Sequence, residues 1–257
     1  MAAANVTLTA LPGIPFVAPG DDLAAILIRA LAAAELVPGD GDVLVLAQKI
    51  VSKAEGRYVA LAEVTPSPRA EALAREIGKD ARLVEIILAQ SQEVVRHRRD
   101  VLIVAHRLGF VMANAGVDQS NIEQDAEDGR VLLLPEDPDA SCTALKRRLD
   151  AHFGARLGVI VNDSFGRAWR NGVVGVALGA AGLPAIIDMV GAPDLFGRKL
   201  RVTQIAFADE IAAAASLVMG QAAEGQPAVL VRGLDWGGRA ARPASALVRP
   251  KELDFFR

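Results

Sequence analysis

"VNDSFGRAWRNG" (Val161–Gly172) follows a short apolar run, Leu157–Val161. The run reads as a buried strand: it is brief, β-branched and bounded by polar residues. On this reading the strand ends at Asp163-Ser164. A carboxylate and a hydroxyl then stand side by side, followed by Arg167, Trp169, Arg170 and an Asn-Gly turn. Such a sequence either caps a helix or carries a ligand on the end of a strand.

Working outward, Pro138–Phe153 predicts a helix begun by Asp137 or Pro138. "GVVGVALGAAGLPAIIDM" is Gly- and Ala-rich and leaves room for backbones to approach closely. Val202–Phe207 predicts a strand, Ala208–Met219 an alanine-rich helix, "GQAAEGQP" a loop and "AVLVRG" the last strand. Upstream, Val6–Ala10 alternates like a strand, and "LPGIPFVAPGDD" is a turn-rich loop. Asp21 or Asp22 caps a helix over Leu23–Ala34. "VLVLAQ" from Val43 is a fully apolar strand, and "KIVSKAEGR" leaves it with Lys49, Lys53 and Arg57 close together. Helices are expected over Pro68–Gly78 and Ala81–Val95. "VLIVAHRLGFVMANAG" predicts a hairpin turning at Arg107-Leu108-Gly109. A charged turn, "DAEDGR", leads to the strand "VLLLP". Leu234–Arg257 is a tail without a clear pattern. Hairpins mixed with crossovers favour an α+β fold over a regularly alternating doubly wound sheet.

The 257 residues are 52% hydrophobic but only 4% aromatic, so Ala, Val and Leu fill the interior. A net charge of -3 argues against a general nucleic-acid binder. Arg96-His97-Arg98-Arg99 and Lys146-Arg147-Arg148 read as solvated faces. The one cysteine, Cys142, excludes an intrachain disulfide and a cysteine-rich zinc site. His97, His106 and His152 lack metal spacing. Met1–Ala10 does not resemble a signal peptide, and no apolar run reaches the roughly 20 residues that span a bilayer. A soluble cytoplasmic protein is expected.

Chemistry is expected where apolar strands give way to small and polar residues. Asp118 in "VDQSN" is a hard oxygen donor suited to Mg²⁺ or Mn²⁺, or else an Asx turn. Asp163 and Ser164 can share a divalent cation, or else cap a turn. Arg167 and Arg170 beside them suit a substrate bearing phosphates or carboxylates. Lys53 could reach a phosphate or lie on the surface. The chain lacks both the Gly-rich Lys-Ser/Thr phosphate loop and a dinucleotide glycine fingerprint. "LPGI" and "MGQAAEGQ" expose backbone groups able to cradle a nucleotide, or simply connect elements.

In order along the chain, "LPGIP", "GDDLA", "GDVLVLAQKIVSKAEGR", "GFVMANAGVDQSNI", "LLLPEDPDAS", "VNDSFGRAWRNG", "FADEIAAAASLVMGQ" and "AVLVRGL" cover Leu11–Leu234. The ordered set resembles the coenzyme F-420:L-glutamate ligase (gamma-glutamyl ligase) family, "AGVDQSN" with "NDSFGRAWRNG" above all. The resemblance implies a GTP-dependent ligase. It would phosphorylate the phospholactate carboxylate of the glutamate-free deazaflavin, join L-glutamate as an amide, and add further glutamates through gamma linkages. It also implies Mg²⁺ or Mn²⁺, potassium as a sometimes stimulating ion, and a homodimer with an unusual α+β fold of mixed and antiparallel sheets. The expected division is residues 1–80 with 205–249 for the nucleotide, 81–204 carrying the metal ligands, and a tail over 250–257.

Carried over by residue, the resemblance makes Asp118, Asp163, Ser164 and Gln221 the metal ligands. It gives the GTP site Leu11, Pro12, Gly13, Ile14, Gln48, Lys49, Lys53 and Asn121. The same site takes Met219, Gly220, Gln221, Ala222, Ala223, Glu224, Gly225 and Gln226. Lys53, Asp118 and Asp163 are the catalytic candidates. Apart from the resemblance, we assign Arg167 and Arg170 to a substrate carboxylate and Trp169 to stacking on the deazaflavin, or to packing. The same residues would serve a nucleotide-dependent amide ligase acting on another phosphorylated acid. A GTP-binding module without catalysis would also retain much of the set.

Overall fold

The computed structural model describes residues 5–122 and 129–255. In chain order its strands are β1 (Thr7–Ala10), β2 (Val43–Ala47), β3 (Tyr58–Ala60), β4 (Ser91–Arg98), β5 (Val101–His106) and β6 (Val111–Ala113). They continue with β7 (Arg130–Leu132), β8 (Gly158–Arg167), β9 (Arg170–Ala181), β10 (Ile187–Asp188), β11 (Gln204–Ile205) and β12 (Ala228–Arg232). The helices are α1 (Leu23–Ala33), α2 (Gln48–Ala54), α3 (Pro68–Ile77), α4 (Ala81–Ala89), α5 (Pro138–Phe153) and α6 (Phe207–Met219).

A five-stranded sheet of order β1-β12-β2-β8-β9 forms the centre. Its only parallel pair is β2 with β8, and the other three contacts are antiparallel. The fold is therefore α+β, as the mixture of hairpins and crossovers predicts. Strand β2 is apolar on both faces because both are covered. Leu44 and Leu46 pack with α1 and α5 through Leu27, Leu31 and Leu149. Val43 and Val45 pack on the other side with Ile211, Ala212 and Ala215 of α6. Truncating one such buried leucine to alanine costs about 2–5 kcal/mol.

The small residues of β9 let helices close on both of its faces. A methyl group added at Gly179 would overlap the Pro138 carbonyl oxygen, and one at Gly175 would meet Ala212 O and Ser216 Oγ. A third cluster joins α3 and α4 to the three-stranded sheet β4-β5-β6 through Ile77, Val84, Ile87, Leu102 and Val104. The main sheet crosses the expected division of the chain, since β8 and β9 lie beside β2. Among the described residues, no helix is long and apolar enough to cross a membrane.

Several elements differ from expectation. Strand β8 does not end at Asp163-Ser164. It continues to Arg167 and turns back through Ala168-Trp169 into β9, so no helix is capped there. A polar strand is stable here because its backbone groups are paired by β9. The helix expected over Ala81–Val95 stops at Ala89, and Ser91–Arg98 is a strand paired with β5. Its apolar stripe ends at Leu88, while Val94-Val95 is β-branched and finds an edge to pair with. The segment Gln48–Ala54 is a helix opening directly from β2. The strand expected over Val202–Phe207 shrinks to Gln204–Ile205, because Phe207 already begins α6 with Asp209 and Glu210 favouring its first turn. Asp22 and Asp137 are the N-caps of α1 and α5. The charged turn "DAEDGR" lies for the most part outside the described residues.

Candidate active site

A cleft of about 450 Å³ opens at one end of the parallel pair β2 and β8. Its walls come from the loop at Ile14–Val17, the start of α2, β8 at Asn162–Ser164, and the loop Met219–Pro227 after α6. Lys53 and Asn121 complete the rim. Sequence segments far apart along the chain thus converge, because β2 and α6 end close to Asn162–Ser164, where β8 runs on past its pairing with β2.

The approach to Asp118 is strained. Asn114, Ala115 and Gly116 are successive residues with positive φ (52°, 53° and 65°). For the two non-glycine residues that conformation costs of order 1–3 kcal/mol each, a strain found most often at functional sites. The turn packs Ala115 into the core and delivers Asp118 beside β7. There its N–H donates to Leu132 O at 3.0 Å, and Leu132 N–H donates back at 2.9 Å. Asp118 Oδ1 accepts from Ser120 N–H at 2.7 Å, and Oδ2 lies 2.6 Å from Lys49 Nζ. Burial pushes the Asp118 carboxyl upward, but the Lys49 ammonium and Ser120 outweigh it and the net shift is down. Asp118 is thus ionised at neutral pH.

Asp163 is different. Burial pushes its carboxyl up to about 6, and the Asp118 charge adds to the rise; Ser164 N–H and Lys49 pull the other way. Its Oδ1 accepts from Ser164 N–H at 2.8 Å. Ser164 Oγ donates to Gln221 Oε1, which ties β8 to the loop after α6. Asp118, Asp163, Ser164 and Gln221 offer only hard oxygen donors, two of them carboxylates. That set suits Mg²⁺ or Mn²⁺ and not zinc. A desolvated carboxylate beside a second carboxylate is also an arrangement that a divalent cation relieves. No group of three or more His, Cys, Asp or Glu side chains suited to a metal occurs among the described residues.

Asn121 clips the cleft together. Its carbonyl accepts from Lys53 Nζ at 2.7 Å, and its Nδ2 donates to Ala222 O at 3.1 Å. The loop after α6 closes on itself through Glu224 Oε2, which accepts from Ala222 N–H at 2.8 Å. Gln48 is buried, and its amide donates to Ser52 Oγ at 2.7 Å and to Leu133 O at 3.4 Å.

The structure brings most of the sequence candidates into this cleft: Ile14, Gln48, Lys49, Lys53, Asn121, Asp163, Ser164 and the whole Met219–Gln226 loop. Asp118 stands just behind its wall, joined through Lys49. Leu11 lies instead in the core, fully buried, with its N–H donated to Ala228 O at 2.9 Å. Pro12 and Gly13 lead from it toward Ile14 without lining the cleft. Arg167, Trp169 and Arg170 sit on the β8–β9 arm and do not line it either. Trp169 is 87% exposed at φ 64°, an uncommon conformation for a bulky residue.

Two features escaped the sequence. The Lys49–Asp118 ion pair joins residues with no local relation. Asn162, buried in β8, donates to Ser216 Oγ at 3.0 Å and leaves its Oδ1 without a hydrogen-bond partner among the described residues. An asparagine closing the run "VIVN" was the available signal. His106 is buried and accepts from Leu108 N–H at Nδ1. Burial, with Arg107 and Arg57 nearby, lowers its pKa to about 4.

Residues 13–233 match the family model described as F420-0:Gamma-glutamyl ligase. The chain belongs to this family. The F420-0:gamma-glutamyl ligase match takes in β2, α2, the Asp118 turn, the β8–β9 arm and the loop after α6, which is the whole of the cleft. A protein of Methanothermobacter thermautotrophicus named "Coenzyme F420:L-glutamate ligase" is 48% identical over 254 residues, 98% of this chain and 99% of that protein. Its namesake in Methanopyrus kandleri is 48% identical over 244 residues, 94% and 93% of the two chains. One of the same name in Archaeoglobus fulgidus is 42% identical over 253 residues, 98% and 97%. As a member of this F420-0:gamma-glutamyl ligase family, the chain is a ligase.

Proposed function

We propose that the protein joins L-glutamate to the glutamate-free deazaflavin coenzyme F-420 precursor, using GTP, in the cleft between β2 and β8. The observation that carries this reading is the convergence there of Asp163, Ser164 and Gln221 with Lys49 and Lys53, on a chain of this family. Two lysines and a loop of backbone amides suit a triphosphate. Phosphoryl transfer asks a protein chiefly for positioning and charge neutralisation.

In the proposed reaction a carboxylate oxygen of the acceptor's phospholactate takes the γ-phosphoryl group, and GDP leaves. The neutral amine of L-glutamate then attacks the acyl carbon. The amide bond forms, inorganic phosphate departs with the C–O electron pair, and the amine gives up a proton. Addition of further glutamates through their γ-carboxylates repeats the sequence. Asp118, Asp163, Ser164 and Gln221 would hold Mg²⁺ or Mn²⁺, which supplies charge stabilisation at the transferring phosphate. Lys53 steadies the terminal phosphate, while Asn121 and the Met219–Gln226 loop orient the nucleotide. Arg167 and Arg170, at the far end of the exposed β8–β9 arm, would grip an anionic acceptor bidentately. Stimulation by potassium, a homodimer and a cytoplasmic location belong to the same proposal.

Mass spectrometry after mixing the protein with glutamate-free coenzyme, GTP, Mn²⁺ and L-glutamate tests it. The expected product is heavier by glutamyl residues, with one GDP for each. GTP consumption without a glutamylated product, or no consumption at all, would overturn the proposal.

A further inference from the structure

Lys49 stands in the first turn of α2, with its ammonium 2.6 Å from Asp118 Oδ2. The same ammonium acts electrostatically on Asp163. Asp118 does not depend on it for its place. Ser120 N–H holds the other carboxylate oxygen, and Leu132 pairs with both Asp118 backbone groups. The Lys49 side chain is 27% exposed, and its residue lines the cleft along with Lys53. A lysine stem is long and its ammonium is a compact point charge, so it can change partners without moving the backbone.

An ammonium this close occupies a lone-pair direction of Asp118 that a hard divalent cation would need, at roughly 2.0–2.6 Å. The two positive groups repel, so each weakens the other's hold on the oxygen. We infer that Lys49 is an internal countercharge that competes with the divalent cation for Asp118 and is released to the nucleotide's phosphates as the cation enters. The inference rests on the cation site proposed above. It has a directional consequence. The Lys49 ammonium partly neutralises the carboxylate pair, so a cation alone binds weakly. Nucleotide offers the displaced ammonium a new anionic partner, so each ligand strengthens the other by the same factor.

Mn²⁺ binding without nucleotide, read from the electron paramagnetic resonance signal of free Mn²⁺, tests this in the full chain. Lys49→Met should bind Mn²⁺ at least about tenfold more tightly than the wild type, because a competing charge is gone. Lys49→Arg should stay near the wild type. A lysine that merely braces Asp118 gives the opposite sign, and equal or weaker binding by Lys49→Met overturns the inference. A second measurement needs no variant. Labelling of Lys49 by an amine-reactive reagent, read by mass spectrometry, should rise severalfold when Mg²⁺ is added without nucleotide. Unchanged or reduced labelling overturns the inference. If the wild type binds no Mn²⁺ even with GDP present, the cation site itself fails and takes the inference with it.

Discussion

Asp163→Asn separates the cost of the site from its use. The Asp163 carboxyl is moved from 3.8 to about 6, chiefly by burial. At about 1.4 kcal/mol per pKa unit, holding it ionised in the folded, cation-free protein costs about 3 kcal/mol. A carboxyl raised on folding contributes stability that is fully present below its unfolded value near 3.8, and that contribution is lost as pH rises through about 6. Asparagine has nearly the same shape and no charge. With a chelator present at pH 7.5, Asp163→Asn should therefore be more stable than the wild type by about 1–3 kcal/mol, raising Tm by roughly 2–12 °C for a chain of this size. The difference should shrink toward zero by pH 4. Adding Mn²⁺ should stabilise the wild type and leave the variant unmoved, and the variant should not turn over. Thermal melts at several pH values, with and without the cation, read all of this. A variant less stable than the wild type at pH 7.5 in chelator would refute the reasoning, because Asp163 would then be a structural anchor and not a desolvated ligand.

Other outcomes are expected of the same cleft and its supports. Lys53→Ala should raise KM for GTP roughly ten- to a hundredfold, the worth of one charge-assisted contact, while Tm moves by only a few degrees; both are read from steady-state kinetics and melts. Trp169→Gly removes a bulky residue from the left-handed region, so stability should hold or rise by up to about 1 kcal/mol, whereas KM for the deazaflavin acceptor should rise; an unchanged KM would take Trp169 out of the acceptor site. Gly179→Ala should destabilise by at least about 1–3 kcal/mol in denaturant titration, because its methyl overlaps the Pro138 carbonyl.

Elements with chemical punctuation were legible in the sequence. Helix α5 announces itself with Asp137-Pro138 and ends on Gly154 at φ 64°, and the expected Pro138–Phe153 matches it. Helix α3 does the same with Ser67, Pro68 and Gly78. The run of β8 beyond Val161 was not legible. Its polar residues leave the apolar pattern just where pairing with β9, not burial, takes over as the cause of the strand. The boundary of α4 and β4 was hidden likewise, because the edge offered by β5 is a tertiary fact. Within the site, Asp118 and Asp163 stood out in the sequence as candidate cation donors. Their opposite pKa shifts could not, because those depend on which of them Lys49 touches and which is buried.

We propose that Asp118 and Asp163 share one divalent cation at the edge of the cleft. Crystals grown with GDP and Mn²⁺ and measured at a wavelength where manganese scatters anomalously test it directly. The account predicts an anomalous peak within about 2.0–2.6 Å of oxygens from both carboxylates, with Lys49 no longer on Asp118. A peak bound by only one of them, or seated elsewhere on the molecule, would contradict it.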